Sequence, residues 1–407
     1  MKIAVYLELS EAGGVDSHLI NIIRYWPEPN DRFEILCNSN HKGLKRIEAE
    51  TKKCPNVIIK KYKYIAFSYY SGRIKKYFSN PIIRIILYLL LPFSVFLQLL
   101  QAIRLLRKND YDALLAYNGG YPAGWGVLAS IIAARIIKIK KRVLIVAHAA
   151  AKPLLFHGYF ERIMDEMISY CSTNMVAISF ATRESLLRNR CFNLIKRSIR
   201  VIYCGVSKPD NNQAAEKIDI KDKFNLKNRV AVGIVGRIER YKGHEDLIIG
   251  YSKIPQELRS KMSLVLIGAG NEIEIERLKA IAQRLNISES IVFTGYLPGD
   301  SYDIISQLDM LAVMTKDFEG FGLTLAEAMV IGVPVLATKV GAIPEFVTPE
   351  NGYLILPESP ESVAEALIDF MSNKDQWLIR AQKAQVTIQK FSAQKASEEF
   401  NNMFKYY

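Results

Sequence analysis

Apolar residues along the chain follow two alternating periods. Short apolar runs at 2–7, 33–37, 57–60, 113–117, 142–147, 175–178 and 199–203 read as buried strands. Between them lie stretches with helical spacing, the first over 18–26. A polar stretch, 207–228, holds Pro209, Asn211 and Asn212 and reads as a linker. The alternation then starts afresh. Strand runs fall at 230–235, 263–267, 291–294, 310–314 and 334–337, with helical spacing over 243–253 and 272–285. Two helical patterns, 361–371 and 375–389, follow. Strands alternating with helices argue for parallel sheets covered on both faces. The restart predicts an α/β chain of two doubly wound parallel-sheet domains with a cleft between them, 1–206 and 207–390. A chain of 407 residues suits two cores better than one. Ligands of such sheets bind beyond the carboxyl ends of the strands. That rule selects the loops after Leu7, Tyr117 and Ala147, and those after Val235, Ile267, Thr294, Met314 and Ala337.

One stretch breaks the pattern. Between Arg84 and Arg104 no residue is charged, and leucine and phenylalanine dominate. Pro92, Gln98 and Gln101 interrupt it, and a membrane span would cut the α/β pattern in two. Two readings of 82–106 stand: core helices on the first sheet, or a surface helix dipping into a membrane. In the second, Lys75, Lys76, Arg84, Arg104, Arg107 and Lys108 would meet lipid phosphates.

Charge favours an anionic partner. Residues 1–207 hold 31 Lys+Arg against 14 Asp+Glu, and the remainder 23 against 27. From Thr51 to Asn109 there are 12 basic residues and no carboxylate. A membrane surface, a nucleic acid or a phosphorylated substrate would each fit. The five cysteines are odd in number, lack metal-ligand spacing and fit a reducing, cytoplasmic compartment. The N-terminus reads as a first strand, without the pattern of a signal peptide.

Chemistry concentrates in the second half. Arg237 and Lys242, in Gly236-Arg-Ile-Glu-Arg-Tyr-Lys-Gly243, follow the first strand there. They could reach one diphosphate or be two solvated cations. After Met314 the chain runs to Glu319-Gly-Phe-Gly-Leu-Thr-Leu-Ala-Glu327. Gly320 and Gly322 allow close backbone approach, and a helix beginning near Thr324 would offer amides to an anion. Glu319 and Glu327 could accept hydrogen bonds from sugar hydroxyls. For Glu327 a competing reading is a capping box closed back on Thr324. Gly268-Ala269-Gly270 lacks the third glycine of a dinucleotide turn. Gly13 and Gly14 after the first strand could bring amides to a phosphate or simply form a turn. His148 and Lys152 follow a strand end and, with Asn118, are the first-domain candidates. His41 and His244 read as exposed. No residue set suggests a metal.

These motifs, with Gly332-Val-Pro-Val-Leu-Ala, resemble the retaining GT-B glycosyltransferases of the large group 1, or family 4, type that builds bacterial polysaccharides and glycolipids. The resemblance runs more loosely through the first half, where Gly13-Gly14 is similar to the family's N-terminal glycine loop. Val201-Ile-Tyr-Cys-Gly-Val206 resembles its interdomain strand, with Cys204 and Ser207 departing from the usual residues. By resemblance, 1–206 is an acceptor-binding Rossmann-like domain joined by a crossover helix, 391–407, and 207–390 binds a nucleotide-sugar donor. Arg237 and Lys242 would hold the diphosphate in place of a metal, and the backbone of Gly322, Leu323 and Thr324 would cradle it. Glu319 would contact the transferred sugar, Glu327 the ribose, Tyr296 and Leu297 the base, and His148 the donor sugar. The implied activity is retaining, metal-independent transfer of a hexose from a UDP- or GDP-sugar to a lipid-linked or polysaccharide acceptor. The implied setting is the inner face of the cell membrane, in lipopolysaccharide, polysaccharide or glycolipid synthesis. No cofactor and no nucleic acid are expected. A GT-B-like epimerase or phosphorylase, or a basic nucleic-acid-binding module, are the alternatives.

Overall fold

The computed structural model describes residues 1–64, 89–153, 158–192, 199–209 and 218–406. Lys75, Lys76 and Arg84 lie outside the described residues. The chain divides into two compact units, Met1–Gly205 with Ala393–Tyr407, and Val206–Ser392.

The first unit is built on seven parallel strands: β1 (Lys2–Leu7), β2 (Arg32–Asn38), β3 (Val57–Tyr62), β4 (Ala113–Asn118), β5 (Lys141–Val146), β6 (Asn174–Ala177) and β7 (Arg200–Val201). Their order is β3-β2-β1-β4-β5-β6-β7. Every residue of β4 is buried, as expected of a strand covered on both faces. The order reverses between β1 and β4, which makes their carboxyl ends the switch point of this sheet. The helix Ala393–Tyr406 packs on the helix Gly14–Arg24, and Ser397 Oγ donates to the Ile22 carbonyl at 2.8 Å.

The second unit has six parallel strands: β8 (Val230–Val235), β9 (Met262–Ile267), β10 (Ile291–Gly295), β11 (Met310–Val313), β12 (Val335–Thr338) and β13 (Tyr353–Ile355). Their order is β10-β9-β8-β11-β12-β13, with the switch point between β8 and β11. Two parallel, Rossmann-like sheets are the architecture that the alternation predicts.

Details depart from expectation. The strand expected over 199–203 shrinks to Arg200–Val201. The first helix starts four residues early, because the Asp16 carboxylate accepts from the Gly13 amide at 3.1 Å and caps it. The expected linker is partly built: Ile220–Lys223 is helical, Ile220 and Leu226 are buried, and Gln307 accepts from the Ile220 amide. Strand β13 is an addition to the expected set. Among the described residues no helix is long and apolar enough to cross a membrane.

Candidate active site

In the second unit the loops after β8 and β11 meet at the switch point. The loop after β8 leaves through Gly236, whose amide donates to the Ile267 carbonyl at 2.9 Å. It then makes one 3-10 turn, Arg240–Lys242, which ends on Gly243 with φ of 70°. A Cβ on Gly243 would lie 1.9 Å from the Met314 carbonyl oxygen. Only glycine lets this turn sit so close on the end of β11. The Lys316 amide then donates to the Tyr241 carbonyl at 2.7 Å, so the two loops are hydrogen-bonded together. Gly268 belongs to the same scaffold, since its Cβ would meet the Gly236 carbonyl at 1.9 Å.

This packing brings Lys242 to Glu319. The ammonium lies 2.8 Å from Glu319 Oε2, and the buried Thr315 hydroxyl donates to the same oxygen at 3.0 Å. The Glu319 backbone is held from below. Its carbonyl accepts from the Ala342 amide at 2.9 Å, and Gly341, at φ of 54°, packs against its main chain. Thr338 Oγ1 donates to the Thr315 carbonyl at 2.6 Å and ties in β12. Thr338 and Gly341 escaped the sequence reading because their contacts are set by sheet order rather than by local spacing, while Thr315 is a local neighbour of Glu319 that carries no motif.

Past Glu319 the chain enters the helix Leu323–Ile331 through Gly322, which caps it with φ of 86°. Gly322 has no side chain to cap this end, and the first turn holds no carboxylate. The amides of Leu323, Thr324 and Leu325 precede the first bond of the helix ladder, which runs from Ala326 to Gly322. This is the positive end of a helix beside a cation. The capping-box reading of Glu327 fails. The helix begins one residue before Thr324, because Gly322 takes the left-handed conformation, and Glu327 falls in the second turn, half-buried.

Arg237 points a different way. Its guanidinium pairs with Glu239 at 3.0 Å and donates to the Tyr241 hydroxyl at 3.2 Å, and it stays half exposed. Tyr296 is exposed and Leu297 is buried, both just after Gly295 at the end of β10. His244 is buried, not exposed as its sequence suggests. Burial, and then Lys242, lower its pKa to about 4, so the imidazole is neutral at physiological pH.

In the first unit, the loops after β1, β4 and β5 gather Glu8, Asn118 and His148. Asn118 Oδ1 accepts from the Gly124 amide at 2.9 Å, and Glu8 Oε2 from the Val127 amide at 3.0 Å. Both thus cap the helix Trp125–Ile136. Burial raises the Glu8 pKa to about 7. Glu8 lacked any motif in the sequence. Only its place just past β1 could have marked it. Half-buried His148 borders Gly120, while Lys152 is exposed. Gly13 offers less to a phosphate than expected, because Asp16 occupies its amide and adds a negative charge. Asp16 is itself held by His41, which is buried rather than exposed, at 2.9 Å.

Residues 216–387 match the family model of group 1 glycosyl transferases. An uncharacterized glycosyltransferase of Methanocaldococcus jannaschii is 26% identical over 74% of this chain and 76% of its own length. The D-inositol 3-phosphate glycosyltransferase of Corynebacterium jeikeium is 28% identical over 51% of this chain, which spans 52% of that protein. The crystal structure of Anabaena HepE in complex with UDP superposes with a TM-score of 0.72 at 19% identity, over 100% of both chains. That likeness establishes the fold, GT-B.

Proposed function

We propose that this chain is a group 1 glycosyltransferase and that the switch point of its second unit holds the diphosphate of a nucleotide sugar. The observation that carries the reading is the Lys242–Glu319 pair at the N-terminal mouth of the helix that Gly322 opens, with the two loops locked together by Gly243. An ammonium has three donors, so Lys242 can keep Glu319 and still take a phosphate oxygen. The helix amides at Leu323–Leu325 supply further positive potential. As the bond from sugar to phosphate breaks, negative charge grows on the leaving diphosphate. Charges already in place there lower the barrier most, since they need no rearrangement. Arg237 would leave Glu239 to join them.

The finer reading is retaining, metal-independent transfer of a hexose from a UDP- or GDP-sugar. Glu319 faces the transferred sugar, Glu327 the ribose, and Tyr296 and Leu297 the base. His148, with Asn118 and Lys152 towards the acceptor, belongs to the first unit. The acceptor is lipid-linked or a polysaccharide at the inner face of the membrane, consistent with the basic charge of the first half. Support for the donor class comes from the bound UDP of HepE.

A thermal-shift panel of UDP, GDP, ADP and their sugars tests this reading. A ligand at about 100 times its Kd adds about 2.7 kcal/mol to stability. One uridine or guanosine pair should raise the Tm, and a null panel would refute the reading. Turnover unchanged by EDTA is expected, and a loss restored by a divalent cation would refute metal independence.

A further inference from the structure

The first unit carries a surface that the donor chemistry does not use. The crossovers from β3 to β4, β4 to β5 and β5 to β6 all step one way across the sheet. Right-handed crossovers then place their helices on one face. Leu91–Leu106 packs against Trp125–Ile136, which packs against Gly158–Cys171. The middle helix is sunk, with every residue from Gly126 to Ala134 buried.

Each flanking helix is apolar on two sides. Inward, Leu91, Val95, Ala102 and Leu105 of one and Met164 and Ile168 of the other join the core. Outward, Phe93, Phe96 and Leu100 are 60, 52 and 47% exposed, at spacings of one helical turn. Tyr159, Ile163, Met167 and Tyr170 repeat this on the second helix, with Tyr159 83% exposed. A helix that packs by one face and meets water by the other needs only one apolar stripe. Two outward stripes on the helices that flank the sunken one mark a contact surface.

Charge selects the occupant. The C-terminal ends of the first two helices carry exposed Arg104, Arg107 and Lys108, and Arg135, Lys138 and Lys140. No carboxylate occurs in 89–109 or 125–141. Arg135 bridges to the second stripe, its guanidinium 4.3 Å from the Tyr170 ring centre and donating to the Tyr170 hydroxyl at 2.9 Å. The exposed carboxylates nearby are Asp110, Asp112 and Glu166, the last on one helix with exposed Arg162. Aromatic and aliphatic ridges with a basic rim match the acyl–headgroup boundary of an anionic bilayer.

We infer that the stripes Phe93/Phe96/Leu100 and Tyr159/Ile163/Met167/Tyr170, with their basic rim, form one lipid-docking surface. Two ridges fix how the unit lies on the bilayer, which a single dipping helix cannot do. The inference rests on the reading of a membrane-borne acceptor.

The test is co-sedimentation of the full chain with phosphatidylcholine vesicles, with or without phosphatidylglycerol. The unaltered protein should bind the anionic vesicles at least about tenfold more tightly. Phe93→Ser/Phe96→Ser and Tyr159→Ser/Ile163→Ser should each weaken that binding about tenfold or more. Arg104→Gln/Arg107→Gln should reduce the preference for anionic lipid. All three should keep the Tm and the nucleotide response of the parent. If the parent binds neither vesicle, the membrane reading and this surface both fall. If it binds and the serine pairs bind as tightly, only this surface falls. If the serine pairs instead turn a dimer into a monomer with vesicle binding unchanged, the stripes serve a second copy and the inference is overturned.

Discussion

Both units have a glycine-bearing turn after their first strand, at the switch point of a parallel sheet, and the two turns do opposite things. After β8, Gly243 is held at φ of 70° with its α-carbon against the Met314 carbonyl, and this close approach delivers Lys242 to Glu319. After β1, Gly13 has extended backbone, φ of −179°, and open space where a Cβ would go. Its amide is satisfied by Asp16. The turn after β8 presents the Lys242 ammonium, and the turn after β1 stabilises its own helix with a carboxylate. A glycine after a first strand therefore says little until its φ and its neighbours are known.

The comparison breaks most readily at Glu319 and Lys242. Removing either by alanine should lower kcat by about a hundredfold or more. Because they share a contact, the double variant should cost much less than the product of the two, as steady-state kinetics on all three would show. Turnover intact in Glu319→Ala would remove it from the chemistry. Gly243→Ala should destabilise the second unit by on the order of 3 kcal/mol, from backbone strain and the clash with Met314, measured by urea denaturation. Next is Glu8. Its raised pKa means that the folded state binds the proton more tightly than the unfolded one. The stabilisation is complete below the unfolded value of 4.5 and is lost as pH rises through about 7. The stability of the parent relative to Glu8→Gln should thus fall between pH 5 and 8. His18 and His244, with pKa lowered to about 3 and about 4, act oppositely. Their stabilisation is present above 6.5 and is lost as pH falls toward those values, equally in both proteins. The smallest effect is Gly13→Ala, within about 1 kcal/mol by the same denaturation. A large loss there would contradict the extended backbone and open space at Gly13.

The strands and the Glu319–Glu327 loop were legible because they depend on local pattern: apolar runs, a glycine pair, and a helix that follows. What sheet order creates was not. Thr338 and Gly341, from the end of β12, brace the Thr315–Glu319 loop, and no spacing announces them. Glu8 and Asn118 cap a helix far along the chain from Glu8. The histidines show the limit from the other side. His41 and His244 sit among polar neighbours in sequence, yet both are buried, one by a long-range partner, Asp16, and the other under a turn. The competing capping-box reading at Thr324 fails because a left-handed Gly322 starts the helix one residue sooner.

The central claim is that Lys242, beside Glu319 and the helix end at Gly322, holds a nucleoside diphosphate. Calorimetric titration of UDP and GDP into the parent protein and Lys242→Ala tests it most directly. The account predicts that one of the two nucleotides binds the parent and that the variant binds it at least about tenfold more weakly, the loss of one charge-assisted hydrogen bond. Equal affinity in the two proteins, or no binding of either nucleotide to the parent, would contradict it.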